Sequence, residues 1–170
     1  MDVDFDQAKG SVGSLLLLFS RIERSAREEL ARMKKASPSK PAHGFAAIMN
    51  DWVAAIDTMP CELSLTVPLA VSLRAQLQGP IALRNAVCHG LNSISASHGD
   101  VPATLGWELN GERGSITWDE LQTCFQWLSR VPHAISHISS GPTKKLDCRL
   151  KDSVENRAWW MAEYGILVST

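Results

Sequence analysis

Apolar residues recur at helical spacing over most of this chain. Val12, Leu15, Leu16, Phe19, Ile22, Ala26, Leu30 and Met33 follow one another mostly at steps of three and four, which predicts one amphipathic helix over 11–36. Ser11 or Ser14 stands where an N-cap would accept the first free amides. The prolines of Ala36–Ala42 then predict a loop. Phe45, Ile48, Met49, Trp52, Val53 and Ile56 form a single stripe, so a second helix is expected over 44–58. Met59-Pro60 ends it, because a residue before proline is pushed out of the helical region.

From Leu63 to Leu73 the apolar positions alternate as in a strand, yet Thr66 followed by Val67-Pro68 reads as a helix N-cap with proline in the first turn. Helix is the expectation, with Leu69, Leu73 and Leu77 on one face. Gly79-Pro80 interrupts it and opens a segment running to His89, giving a kinked helix or two helices end to end. Gly90 suits the left-handed position that stops a helix. Residues 92–104 read as a polar loop. Asn110-Gly111, between two short alternating runs, predicts a β-hairpin near 105–117. Thr117 and Glu120 form a capping box, so a helix starts at Trp118, with Leu121, Cys124, Phe125 and Leu128 buried and Pro132 as a kink or stop. Gly141-Pro142 marks a boundary between a helical domain over 1–140 and a tail over 141–170. A short helix over 152–164, ending at Gly165, is expected in the tail, which packs on the domain or on a partner. The expected fold is an all-α bundle of about four to five main helices with a small hairpin insertion.

At 170 residues and 45% hydrophobic content the chain suits one globular domain. No apolar run approaches the ~18–20 residues of a membrane span. Asp2, Asp4 and Asp6 stand where a secretory signal would be basic, so a cytoplasmic protein is expected, with no membrane partner. Cys61, Cys88, Cys124 and Cys148 contain no C-x-x-C pair, which argues against a zinc knuckle or redox motif. Net charge is −1, but residues 21–40 hold seven basic side chains against three acidic, and 141–157 hold five against three. Residues 43–139 hold only four against eight. A nucleic acid would be gripped by the flanks; otherwise these are solvated helix faces.

Candidate chemistry gathers in one run, Arg84-Asn85-Ala86-Val87-Cys88-His89-Gly90. Asn85 and His89 are four residues apart and share a helix face. Arg84 is about 140° round from His89, within reach of a long side chain. His89 lies in the last turn, where the helix dipole favours a cation. Arginine offers a planar fork for phosphate oxygens, histidine can carry a proton, and asparagine can orient the histidine or hold a phosphate. Such a set suits metal-free RNA cleavage by 2′-hydroxyl attack, with no cofactor and no metal. One chain supplies one such histidine, so a two-fold dimer joining two copies of the run would complete a site. The plainer reading is a helix end whose polar groups cap carbonyls and pair with a buried acid.

Elsewhere the signals are thin. His133 and His137 stand at i, i+4 without a carboxylate ligand. Cys88 and His89 point about 100° apart on a helix, too far for direct activation. Ser93, Ser95 and Ser97 accompany His98 without an oxyanion motif. Trp107 and Trp118 flank the hairpin, where they either pack the core or stack a base.

Leu83 to Gly90 resembles the R-x4–6-H signature of the HEPN superfamily, often written R-N-x-x-x-H-G. The placement is similar too: two amphipathic helices precede the run, and a loop and a further helix follow. The resemblance spans about residues 10–140. It implies a compact helical bundle and a metal-independent endoribonuclease acting on RNA as a homodimer, with Arg84, Asn85 and His89 as active-site residues. It further implies a toxin with an antitoxin partner, or an antiviral defence effector. Some HEPN domains are instead non-catalytic dimerisation modules that bind a nucleotide or a protein, and that alternative stays open at this point.

Overall fold

A computed structural model describes residues 4–34, 44–58, 63–140 and 148–168. The elements run α1 (Phe5–Lys34), α2 (Phe45–Thr58), α3 (Thr66–Gln76), α4 (Gln78–Gly90), β1 (Leu91–Ser95), β2 (Thr104–Leu109), β3 (Glu112–Thr117), α5 (Trp118–Ser140) and α6 (Val154–Tyr164). The fold is mostly helical, with one small three-stranded antiparallel sheet in the order β1-β2-β3. The loop expected at 36–42, the stop at Met59-Pro60, Cys61 and the Gly141-Pro142 boundary lie outside the described residues. The chain forms two compact units, residues 1–19 with 78–128, and residues 20–77 with 129–170.

The first unit carries the candidate run. Here α1 begins earlier than its apolar stripe suggests. The Asp4 amide donates to Gln7 Oε1 at 3.0 Å, and the Gln7 amide donates to Asp4 Oδ1 at 2.8 Å. This reciprocal cap satisfies two of the free amides of the first turn. Ser11 and Ser14 are therefore not caps: they lie inside the helix and donate back to the carbonyls of Gln7 and Gly10.

The hairpin over 105–117 is present, with Asn110 at φ 55° and Gly111 at φ 83°, as a two-residue turn with both central residues left-handed requires. It does not stand alone. Residues expected as a polar loop supply β1, which pairs with β2. A bulge between Leu91 and Ser93 shifts the register, so Leu91 faces Trp107 and Ile94 faces Leu105. Without it these two apolar residues, three apart, would point to opposite faces. Leu105 and Leu121 are buried with Ala8, and Leu83, Leu91, Ile94, Ile116, Trp118 and Phe125 pack against them. The Thr117–Glu120 capping box forms: Glu120 Oε2 accepts from the Thr117 amide at 2.9 Å and from its hydroxyl at 2.7 Å, and the Glu120 amide donates to Thr117 Oγ1.

In the second unit, Thr66 is not the N-cap expected of it but the buried first residue of α3, with Leu65 in the cap position and no side-chain cap, and Leu69, Ala70 and Leu73 are fully buried. The strand-like alternation before it is a consequence of Leu63 and Leu65 being buried ahead of the helix. α5 runs through Pro132 to Ser140 without ending. The Trp52 indole donates to Ser139 Oγ at 2.9 Å inside the core. The tail packs here: Trp160 is fully buried, its indole donates to the Arg149 carbonyl at 2.8 Å, and the Leu65 amide donates to the Leu150 carbonyl. Ser153 caps α6, and Gly165, at φ 67°, stops it in the left-handed conformation.

Candidate functional site

Arg84, Asn85 and His89 all lie on α4. Leu77 forms the C-cap of α3 and α4 starts at the next residue, so the sequence break at Gly79-Pro80 is a junction of two helices and Pro80 sits in the first turn of the second. Buried Ala86 and Val87 fix which face of α4 turns inward. Arg84 and Asn85 are left half-buried and His89 exposed.

Gly90 is not the left-handed stop expected of it. The helix includes it, its φ is not positive, and β1 begins at the next residue. Glycine is needed for a different reason. A Cβ there would stand 2.5 Å from the Glu108 carbonyl oxygen and 3.2 Å from Leu109 Cβ. The end of α4 is pressed onto the backbone of β2, and this contact holds the His89 turn against the sheet.

Within the run, Arg84 Nη1 donates to Asn85 Oδ1 at 3.0 Å. Asn85 thus braces the arginine; among the described residues no hydrogen bond joins it to His89. Arg84 Nε is buried and has no hydrogen-bond partner among the described residues, a costly state for a charged donor. Neither Arg84 nor His89 takes part in a salt bridge among the described residues. The ion pair with a buried acid that the plain alternative calls for is absent among the described residues. The arrangement leaves a half-buried guanidinium at mid-helix and an exposed imidazole in the last turn, neither paired with an acid among the described residues, cationic or polar groups of the kind that meet an anionic ligand.

Asn85 also lines a cleft of about 870 Å³ in the same unit. Its walls are α4, the β2–β3 hairpin and the start of α5, with Trp107, Glu112, Glu120 and Cys124 among the lining residues. The amide and hydroxyl of Thr117 hold the Glu120 carboxyl below its usual 4.5, and burial pushes the Cys124 thiol above 9.0. The cleft was not legible in the sequence beyond the suspicion that Trp107 packs or stacks. The indole does rest on its cross-strand partner: a Cβ at Gly114 would lie 2.8 Å from the ring.

The remaining candidates are spent elsewhere or isolated. His137 Nδ1 lies 3.3 Å from Tyr164 Oη, and its ring sits among Trp159, Trp160 and Tyr164. Ser93 covers the backbone at Gly106. Among the described residues no three His, Cys, Asp or Glu side chains gather as a metal ion requires. Of the flanking cations, Arg27, Arg32 and Arg157 are paired with Glu23, Glu29 and Asp152, and Arg149 stacks over Trp159. Lys35, Lys40, Lys144 and Lys145 lie outside the described residues. Among those described, no helix is long and apolar enough to cross a membrane. No protein-family model, curated protein or solved structure matches this chain.

Proposed function

We propose that this chain is a HEPN-type, metal-independent endoribonuclease, a cytoplasmic toxin or antiviral defence effector that acts as a homodimer. The observation that carries the reading is the state of the run itself. Arg84 is braced by Asn85, neither it nor His89 is tied up in a salt bridge among the described residues, and His89 is exposed in the last turn of a helix whose end is clamped to a sheet. In the proposed reaction the ribose 2′-oxygen attacks the adjacent phosphorus as the P–O5′ bond breaks. One His89 takes the 2′-hydroxyl proton, and the partner copy's imidazole gives a proton to the departing 5′-oxygen, leaving a cyclic phosphate. Arg84 offsets charge on the phosphoryl oxygens in the transition state. A single chain offers one His89, so the full acid–base pair needs two.

The test is cleavage of single-stranded RNA by the purified protein in EDTA. His89→Ala is expected to slow cutting by at least about 100-fold, with an unchanged circular dichroism melt. Cutting at the original rate in that variant would overturn the reading, as would a strictly monomeric active species in sedimentation. In a cell, growth arrest on expression that His89→Ala relieves is the expected sign of a toxin or defence effector.

A further inference from the structure

We propose that the cleft between α4 and the β2–β3 hairpin receives a guanine base, stacked on Trp107 and read along its Watson–Crick edge by Glu112 and Asn85. The first ground is the charge of the lining. Glu112 and Glu120 contribute carboxylates, Asn85 and Asn110 amides, and among the described residues no Lys, Arg or His lines the cleft. A phosphate is repelled from such a place, and a neutral group rich in N–H donors is favoured.

The second ground is the aromatic wall. Trp107 pairs across the strands with Gly114, where the missing side chain lets the indole lie on the β3 backbone. This leaves a large flat ring as part of the wall, and flat rings stack bases of any sequence. Selectivity must then come from the polar groups. Glu112 faces Leu109 across the strands, two residues along β3 from Gly114 and on the same sheet face. At about 3.3 Å per residue its backbone position lies roughly 7 Å along β3 from Gly114, and its side chain lines the same cleft as Trp107. It makes no hydrogen bond or salt bridge among the described residues. Among the four RNA bases only guanine presents two adjacent donors, N1–H and N2–H, to match both oxygens of a carboxylate. Its O6 lies next to them and accepts a hydrogen bond. Asn85 uses Oδ1 to accept from Arg84, which leaves its Nδ2 free to donate to O6. Adenine and cytosine would set a ring acceptor against the carboxylate, and uracil a carbonyl.

Asn85 belongs both to this cleft and to the Arg84–His89 run. A base held in the cleft would therefore set its own phosphate toward the guanidinium, and this last point alone rests on the nuclease reading. The base site itself does not.

Isothermal titration of the full-length protein with the four nucleosides, which carry no phosphate, tests the site directly. Guanosine is expected to bind at least about 10-fold more tightly than adenosine, cytidine or uridine. Glu112→Gln is expected to bring guanosine down to the level of the others while the thermal melt stays unchanged. Equal binding of all four, absence of any binding, or undiminished guanosine binding in the variant would overturn the proposal. Should Glu112→Gln melt early, saturation transfer from the indole to guanosine in the unaltered protein decides, with Trp107→Phe assigning the signal; no transfer overturns it. A 2′-O-methylated pentanucleotide with one central guanine separates the sources: tighter binding than guanosine monophosphate indicates an RNA strand, and equal binding a free nucleotide. RNA cutting by a protein that binds the four nucleosides alike would remove the cleft proposal and leave the nuclease standing. Guanosine binding without cutting would do the reverse.

Discussion

Gly90 and Gly13 illustrate how the same residue type carries opposite meanings. Both are helical glycines, and each weakens its helix by leaving the unfolded chain more freedom. At Gly13 nothing lies within 4 Å of a would-be Cβ. Gly13→Ala is expected to raise stability by about 0.5–1 kcal/mol in a denaturant titration. At Gly90 the Cβ would meet the Glu108 carbonyl at 2.5 Å, and backbone cannot step aside as a side chain does. Gly90→Ala is expected to cost about 1–3 kcal/mol and to lower RNA cutting, because the turn that bears His89 shifts with it. A neutral or stabilising result there would show that α4 is not pressed on β2. The neighbouring contact has the same logic: Asn85 spends its oxygen on Arg84, so its amide, and not its carbonyl, remains for a ligand.

At the scale of elements, the start of α5 is held by Thr117 and Glu120. Thr117→Ala is expected to cost about 1 kcal/mol, the usual worth of an N-cap. The same hydrogen bonds give a pH dependence. The folded Glu120 carboxyl sits below its ordinary 4.5, so its contribution is complete above that value and is lost as pH falls through the depressed one. Asp152, held down chiefly by its hydrogen bonds with Arg157, acts in the same direction. The melting temperature is thus expected to fall on acidification below about pH 4.5. Glu120→Gln should flatten part of that fall, and Asp152→Asn a further part. An unchanged acid limb in both variants would contradict these assignments. The strand β1 makes a related point about elements. Its bulge is what allows Leu91 and Ile94 to share the buried face, and a period-two search passes over it for that reason.

For the whole molecule, charge sets the expectation. The chain carries a net −1, and four of its eight described flanking cations, Arg27, Arg32, Arg149 and Arg157, are committed to carboxylates or an indole. An RNA bound through Arg84 and His89 of two copies would meet about four phosphate-directed groups. Each neutralised phosphate of a single strand contributes about −0.7 to the slope of log affinity against log salt. A slope no steeper than about −3 is expected by fluorescence anisotropy with a 2′-O-methylated strand. A much steeper slope would mean that the basic flanks grip the RNA and that the run at α4 is not the main contact.

What the chain's residues decide by themselves is local. The stripe from Phe45 to Ile56 is a helix, Asn110-Gly111 is a hairpin turn, Thr117 and Glu120 cap α5, and Gly165 stops α6. Each rests on interactions within about four residues, which spacing alone encodes. The position of Arg84, Asn85 and His89 on one helix, with His89 in its last turn, belongs to the same class. Tertiary structure decided the rest. It made a strand of residues read as loop, gave Gly90 a packing role in place of a turn, and brought Trp107, Glu112 and Asn85 to one cleft. Those outcomes depend on cross-strand register and on how closely α4 approaches β2. Such distances between segments remote in the chain are set by packing, and no periodicity along the chain carries them.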